Sequence, residues 1–258
     1  MVKKKFIGYL PVSFPDFETS LSAFKVLIDN GVDILEVGVP YSDPVMDGPT
    51  IQKASKEAIE NGFHIDDLYR LLSEIAQYIQ GKKLETQMYV MTYYNMVYRA
   101  EQNIFAEKLK ENGVIGTIVP DLIPDESGEW VSASVRNGLK NVFLTAPNST
   151  EERLDIVTKN STGFVYASSL LGTTGAREDK NQFKTVGETI QKVRNSLDRM
   201  KKDTPVYLGL GVSNKKQASQ ISKFADGVIV GSRLIKALDE GGLEELAKVT
   251  QDIRSGIK

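Results

Sequence analysis

Short runs of β-branched and aromatic residues alternate along the chain with segments whose apolar positions recur at helical spacing. The runs at residues 6–12, 33–39, 87–94, 116–120, 141–146, 163–169, 205–211 and 227–232 read as eight strands. Between them, Phe17, Leu21, Phe24, Leu27 and Ile28 share one helical face, as do Ile65, Leu68, Leu72, Ile75 and Ile79. Asn-Gly stands at 30–31, 61–62, 112–113 and 137–138. Between two strands that dipeptide would signal a hairpin. Here each pair closes a helical period, which predicts a glycine just past a helix end, at positive φ. The irregular spacing of the pairs argues against a solenoid array.

Strand followed by helix, repeated through 258 residues with no Pro/Ser-rich linker, predicts an α/β fold. The expected form is a closed (β/α)8 TIM barrel, one domain over residues 1–258, with an open doubly wound sheet as the competing arrangement. In a barrel the chemistry belongs to the loops that leave the C-terminal ends of the strands.

Composition narrows that chemistry. The chain has no cysteine and a single histidine, His64. Thiol nucleophiles, disulfides, iron–sulfur clusters and cysteine zinc sites are excluded, and a histidine triad or metal cage has almost nothing to draw on. No metal site is expected, and carboxylates, hydroxyls, amines and backbone must do the work. With 32 basic against 34 acidic residues the net charge is −2, which offers no basic footprint for nucleic acid or an anionic membrane. No apolar run approaches the roughly 18–20 residues of a membrane span, and Lys3, Lys4 and Lys5 precede too short an apolar stretch for a signal peptide. The expectation is a cytoplasmic protein with a small ligand or a protein partner. His64, at a helix start, reads as a cap or surface residue, Trp130 as helix packing, and Lys82-Lys83 as a solvated turn.

The second strand reads Asp33-Ile34-Leu35-Glu36-Val37-Gly38-Val39. Alternation puts Leu35, Val37 and Val39 under the outer helices and turns Ile34, Glu36 and Gly38 inward. Glu36 is either a strand glutamate that reaches solvent or a lysine, or a carboxylate tuned by partial burial to exchange protons near neutrality. The loop Pro40-Tyr41-Ser42-Asp43-Pro44-Val45-Met46-Asp47-Gly48-Pro49 follows, stiff and polar. Asp43 and Asp47 either cap turns there or supply a second catalytic carboxylate. At the other side of a barrel, Gly209-Leu210-Gly211 ends strand seven and Gly231-Ser232 ends strand eight, ahead of a short helix through Arg233 to Lys236. Barrel enzymes bind phosphate between these two loops and a helix N-terminus, with backbone donors sufficient and Arg233 free to face solvent.

The run from Glu36 to Pro44, continuing as Asp47-Gly48-Pro49-Thr50-Ile51-Gln52, closely resembles the signature of the tryptophan synthase alpha subunit family. The resemblance extends, in family order, through Met91-Thr92-Tyr93-Tyr94-Asn95, Val119-Pro120-Asp121-Leu122, Thr145-Ala146-Pro147-Asn148, Tyr166 with Gly172 and Gly175, Gly209-Leu210-Gly211-Val212 and Gly231-Ser232. It implies a (β/α)8 barrel that cleaves indole-3-glycerol phosphate to indole and glyceraldehyde 3-phosphate without a cofactor of its own. Glu36 matches the family's proton shuttle and Asp47 the carboxylate that meets the indole N–H. Thr174, Gly175, Gly211, Gly231 and Ser232 match the phosphate contacts, and Tyr166 a tyrosine beside the glutamate. Tyr9, Met91, Tyr93, Ile118 and Leu144 are the matching pocket walls.

The implied partner is a pyridoxal-phosphate beta subunit in an α2β2 assembly, touched through Asp43, Asn95 and Asp121. A standalone lyase, another sugar-phosphate barrel and a non-catalytic regulatory barrel are the alternatives. Two departures stand out: Thr173 where the family usually has valine, and Val12-Ser13-Phe14-Pro15 where alanine and glycine are frequent. Both bear on loop behaviour more than on the carboxylates.

Overall fold

The computed structural model describes residues 3–168, 180–209 and 211–258. Eight parallel strands pair in chain order: β1 (Lys5–Pro11), β2 (Ile34–Gly38), β3 (Gln87–Met91), β4 (Gly116–Ile118), β5 (Lys140–Thr145), β6 (Val165–Ser168), β7 (Val206–Gly209) and β8 (Gly227–Val230). β8 pairs back onto β1, with Ile7 opposite Ile229, so the sheet closes and the open doubly wound arrangement is excluded.

Helices α1 (Phe17–Asp29), α2 (Pro49–Glu60), α3 (Ile65–Gly81), α4 (Tyr94–Arg99), α5 (Gln102–Glu111), α6 (Gly128–Arg136), α7 (Glu151–Asn160), α8 (Lys180–Arg199), α9 (Lys215–Ile221) and α10 (Ser232–Gly256) surround it. Among the described residues no helix is long and apolar enough to cross a membrane.

Alternation sorts the strand residues as the sequence predicts. Leu35 and Val37 are fully buried under the helices, and Gly8 on β1 faces outward against Leu27 and Val32. The inward face is filled by large side chains set into hollows left by glycines. Tyr89 stacks edge-on to Phe164 at 5.2 Å between centroids, and Phe164 meets Tyr207 at 4.6 Å. A β-carbon on Gly163 would come within 2.9 Å of the Tyr89 hydroxyl, and one on Gly227 within 2.7 Å of the Tyr207 ring. This layer is a packed plug below the C-terminal mouth, where barrel enzymes carry their sites.

The four Asn-Gly pairs end α1, α2, α5 and α6, with Gly31, Gly62, Gly113 and Gly138 at φ of +90°, +92°, +80° and +67°. His64 caps α3: its Nδ1 accepts the Asp66 N–H at 3.4 Å, while Asp67 accepts the His64 N–H at 2.8 Å. Trp130 is buried on α6 against Phe105. Lys82 closes its turn with an ion pair to Asp29 at 2.7 Å.

Two expectations need correction. Strand three stops at Met91 because the backbone turns at Tyr93 into α4, whose Tyr94 N–H is taken by Asp121 at 2.9 Å. The short helix expected after Gly231 is followed at once by a second: α10 is two helices joined at Gly242, where φ of +63° interrupts the helical path before the chain runs on to Gly256.

Candidate active site

Glu36 stands on β2 with Tyr9 opposite it on β1 and Tyr89 opposite on β3. Its carboxylate is buried, at 3% exposure, and Oε2 has no hydrogen-bond partner among the described residues. An unpaired buried carboxylate is costly when charged, so the group favours its proton. Burial first, and the charge of Asp47 second, push Glu36 up from 4.5 to about 8.

Asp47 reaches the same space from the loop after β2. The loop is held by a short chain of contacts: the Met46 N–H donates to the Tyr93 hydroxyl at 3.0 Å, and that hydroxyl donates to Asp47 Oδ2 at 2.9 Å. Tyr41 stacks on the Tyr93 ring at 4.9 Å, and the Gln52 amide ties back to the Asp47 carbonyl at 2.8 Å. Burial raises Asp47 to about 6, against the Tyr93 hydrogen bond, which lowers it.

Tyr9 and Tyr166 complete the inward group. Burial holds both phenols well above their ordinary range, and the charges of Glu36 and Asp47 act on each in the same direction. Tyr9 lies over Gly38, where a β-carbon would stand 2.4 Å from its hydroxyl, and its ring flanks Gly231. It therefore spans from the carboxylate strand to the last strand. Met91 and Ile118 sit opposite one another on β3 and β4, on the inward face, and Leu144 pairs with Tyr166 across β5 and β6.

Across the mouth, Gly211 has φ of +43°, and a β-carbon there would have no described atom within 4 Å. Gly231 precedes Ser232, the first residue of α10, and its carbonyl accepts from Leu234 and Ile235 at 2.8 and 3.0 Å. The N–H groups of Ser232 and Arg233 come before the first intrahelical bond, so they are free by position to meet an anion at the positive end of the helix. The Arg233 guanidinium turns to Glu245 at 3.4 Å, which leaves the backbone as the donor set. Thr174 and Gly175, together with Thr173, lie outside the described residues.

A family model for the tryptophan synthase alpha chain matches residues 1–256. The chain belongs to the tryptophan synthase alpha chain family. It is 45% identical over 252 residues to the tryptophan synthase alpha chain of Mycobacterium avium, covering 98% of this chain and 88% of that one. A solved structure of Mycobacterium tuberculosis tryptophan synthase superposes with a TM-score of 0.89 at 43% identity, covering 99% of this chain and 93% of the other. A tryptophan synthase complex from Pyrococcus furiosus matches with a TM-score of 0.83 at 31% identity, over 99% of both chains.

A tryptophan synthase alpha chain is a carbon–carbon lyase, and the structure brings the carboxylates foreseen in the sequence, Glu36 and Asp47, to one mouth with Tyr9, Tyr93 and Tyr166. Asp43 and Asn95 are exposed on the rim. Asp121 is exposed too, but its carboxylate is engaged by the Tyr94 N–H at the start of α4. The link from Tyr93 to Asp47 was not foreseen: the sequence places Tyr93 in the wall, two residues past Met91, without showing which carboxylate it meets. Tyr41 lies in the run that carries the resemblance but has no assigned role there, its only signal being an aromatic residue in an otherwise polar loop.

Proposed function

We propose that this alpha chain cleaves indole-3-glycerol phosphate to indole and glyceraldehyde 3-phosphate, with Glu36 and Asp47 as its catalytic pair. Glu36, protonated near neutrality, delivers its proton to ring carbon C3. The carboxylate so formed takes the proton from the adjacent side-chain hydroxyl as the carbon–carbon bond breaks and the carbonyl forms. Both protons are accounted for and Glu36 is restored. Asp47, ionised, accepts the indole N–H and stabilises the tautomer that cleaves. Gly211, Gly231 and Ser232, with Thr174 and Gly175, hold the phosphate, so binding energy remote from the scissile bond sets it against the carboxylates.

The observation that carries this reading is the difference between the two carboxylates at one mouth: the buried one has no partner for Oε2 among the described residues, and the other is held by a phenol. Indole release by wild type, Glu36→Gln and Asp47→Asn tests it. Loss of cleavage with glycerol phosphate binding retained is expected, and normal turnover by Glu36→Gln overturns it.

The partner in this proposal is a pyridoxal-phosphate beta subunit. Support comes from the rim, where Val45, Met46 and Tyr98 are large apolar side chains left exposed near Asp43 and Asn95. Relatives solved as tryptophan synthase complexes support it as well. Co-elution with a beta subunit in gel filtration is expected; separate elution at micromolar concentration would favour a standalone lyase.

A further inference from the structure

We propose that Tyr93 is a positioning residue: its hydroxyl, anchored by the loop backbone and by Tyr41, aims the Asp47 carboxylate into the barrel mouth and favours that carboxylate's charged form. The inference rests on the reading of Glu36 and Asp47 as the catalytic pair. Its geometry is a relay of two hydrogen bonds, from the Met46 N–H to the Tyr93 oxygen at 3.0 Å and from the Tyr93 O–H to Asp47 Oδ2 at 2.9 Å. The Tyr93 oxygen accepts from the backbone of the loop, so its proton is committed to the carboxylate. Tyr41, stacked 4.9 Å away at 20° between ring planes, fixes the ring on its other side. Tyr93 itself is buried at 2% exposure, whereas Val45 and Met46 next to Asp47 are 67% and 55% exposed. A buried residue at the turn from β3 into α4 thus holds a carboxylate whose loop neighbours are exposed.

The electrostatics separate the two acids in the same sense. Facing Asp47 are Glu36 from β2, Tyr9 from β1, Tyr93 after β3 and Tyr166 from β6, and Asp121 after β4 acts on Tyr93. No lysine, arginine or histidine among the described residues acts on either carboxylate. Among the described residues the Tyr93 hydroxyl is then the one group that favours an anion there: it lowers Asp47 against burial, and no described donor meets Oε2 of Glu36. Remove it and both acids are governed by burial and mutual repulsion, with neither assigned to the charged state.

The test is Tyr93→Phe, which keeps the ring and its stacking and deletes the donor, with 3-fluorotyrosine at position 93 as the second variant because its more acidic phenol donates more strongly. Carbon-13 NMR titration of the Asp47 carboxyl in the unliganded protein is read beside the pH profile of kcat/KM. Tyr93→Phe is expected to raise the Asp47 midpoint by about one unit or more, lowering kcat/KM on the acid limb about tenfold with glycerol phosphate affinity unchanged. Fluorotyrosine should move both readouts the opposite way. An Asp47 midpoint unmoved in both variants overturns the proposal. Failure of the catalytic reading looks different: wild type and Glu36→Gln would then release indole alike, while the NMR titration would still decide the link between Tyr93 and Asp47.

Discussion

Tyr166 lies so close over the backbone of Gly209 that a β-carbon there would stand 2.7 Å from its hydroxyl oxygen and 2.9 Å from the ring. Gly209→Ala therefore forces the ring to turn away from the mouth that it shares with Glu36. The expected outcome is a loss of about 1–3 kcal/mol from overpacking. Indole release should fall about 10–100-fold from the displaced tyrosine. Thermal unfolding and steady-state assays of the same preparation check both. Gly81→Ala, at the last residue of α3 with nothing within 4 Å, is the contrasting change. It should stabilise by about 0.5 kcal/mol, since alanine costs less chain entropy to order.

The two carboxylates set a window of activity. Asp47 has to be ionised and Glu36 protonated, so kcat/KM should be bell-shaped, with limbs near the values of about 6 and about 8 that their surroundings impose. The limbs belong to the pair, because each acid feels the other. Asp47→Asn should abolish the acid limb in whatever activity survives, and a profile unchanged by that substitution would refute the assignment.

Stability should depend on pH through the same residue. Glu36 ordinarily titrates at 4.5 and in the fold at about 8, so between those values the folded chain holds a proton that the unfolded chain has released. Stability from this group is thus full below the lower value and falls as pH rises through the window. Glu36→Gln removes the dependence, and its advantage over wild type should grow to the order of a few kcal/mol between about pH 5 and about pH 8 in urea unfolding.

Asp121 takes the Tyr94 N–H on both carboxylate oxygens, at 2.9 and 3.2 Å. Asp121→Ala should cost about 1 kcal/mol as a lost helix cap. It should also loosen α4, which carries Asn95 and Tyr98, and so weaken the complex with a beta subunit. Asp121→Asn keeps an acceptor and should restore both, as calorimetry and gel filtration would show.

Gly211 is held at φ of +43°, and among the described residues nothing lies within 4 Å of a β-carbon there, so Gly211→Val meets backbone strain rather than a clash with them. A β-branched residue there costs about 1–2 kcal/mol, enough to shift the loop between β7 and α9. Weaker binding of glycerol 3-phosphate, with the fold intact by circular dichroism, is the expected result.

Strand order and the inward turn of Glu36 were legible because period-two alternation is a local signal, carried by Leu35, Val37 and their neighbours. The cap at His64 and the helix stops at the Asn-Gly pairs are local too. What the sequence did not display are pairings across the barrel. Tyr93 meets Asp47 from the turn after β3, 46 positions away, and Tyr9 finds Gly38 only through the stagger of neighbouring strands. The bond from the Tyr94 N–H to Asp121 was not legible either, because a backbone group is one that no side-chain pattern marks.

The helix stops at Asn30, Asn61, Asn112 and Asn137 bear on how the chain ages. Asn-Gly is the dipeptide in which the following nitrogen most readily attacks the side-chain amide, closing a succinimide that opens to aspartate or isoaspartate. Here the attacking nitrogens of Gly31, Gly62, Gly113 and Gly138 are all engaged, donating to Ile28, Ile59, Lys110 and Val135. The four amides are tied down as well, to the carbonyls of Val26, Pro15, Lys108 and Ala133. The hydrogen bonds that end the helices also guard the chain's most perishable side-chain amides, so deamidation at these sites should report the time a molecule has spent unfolded.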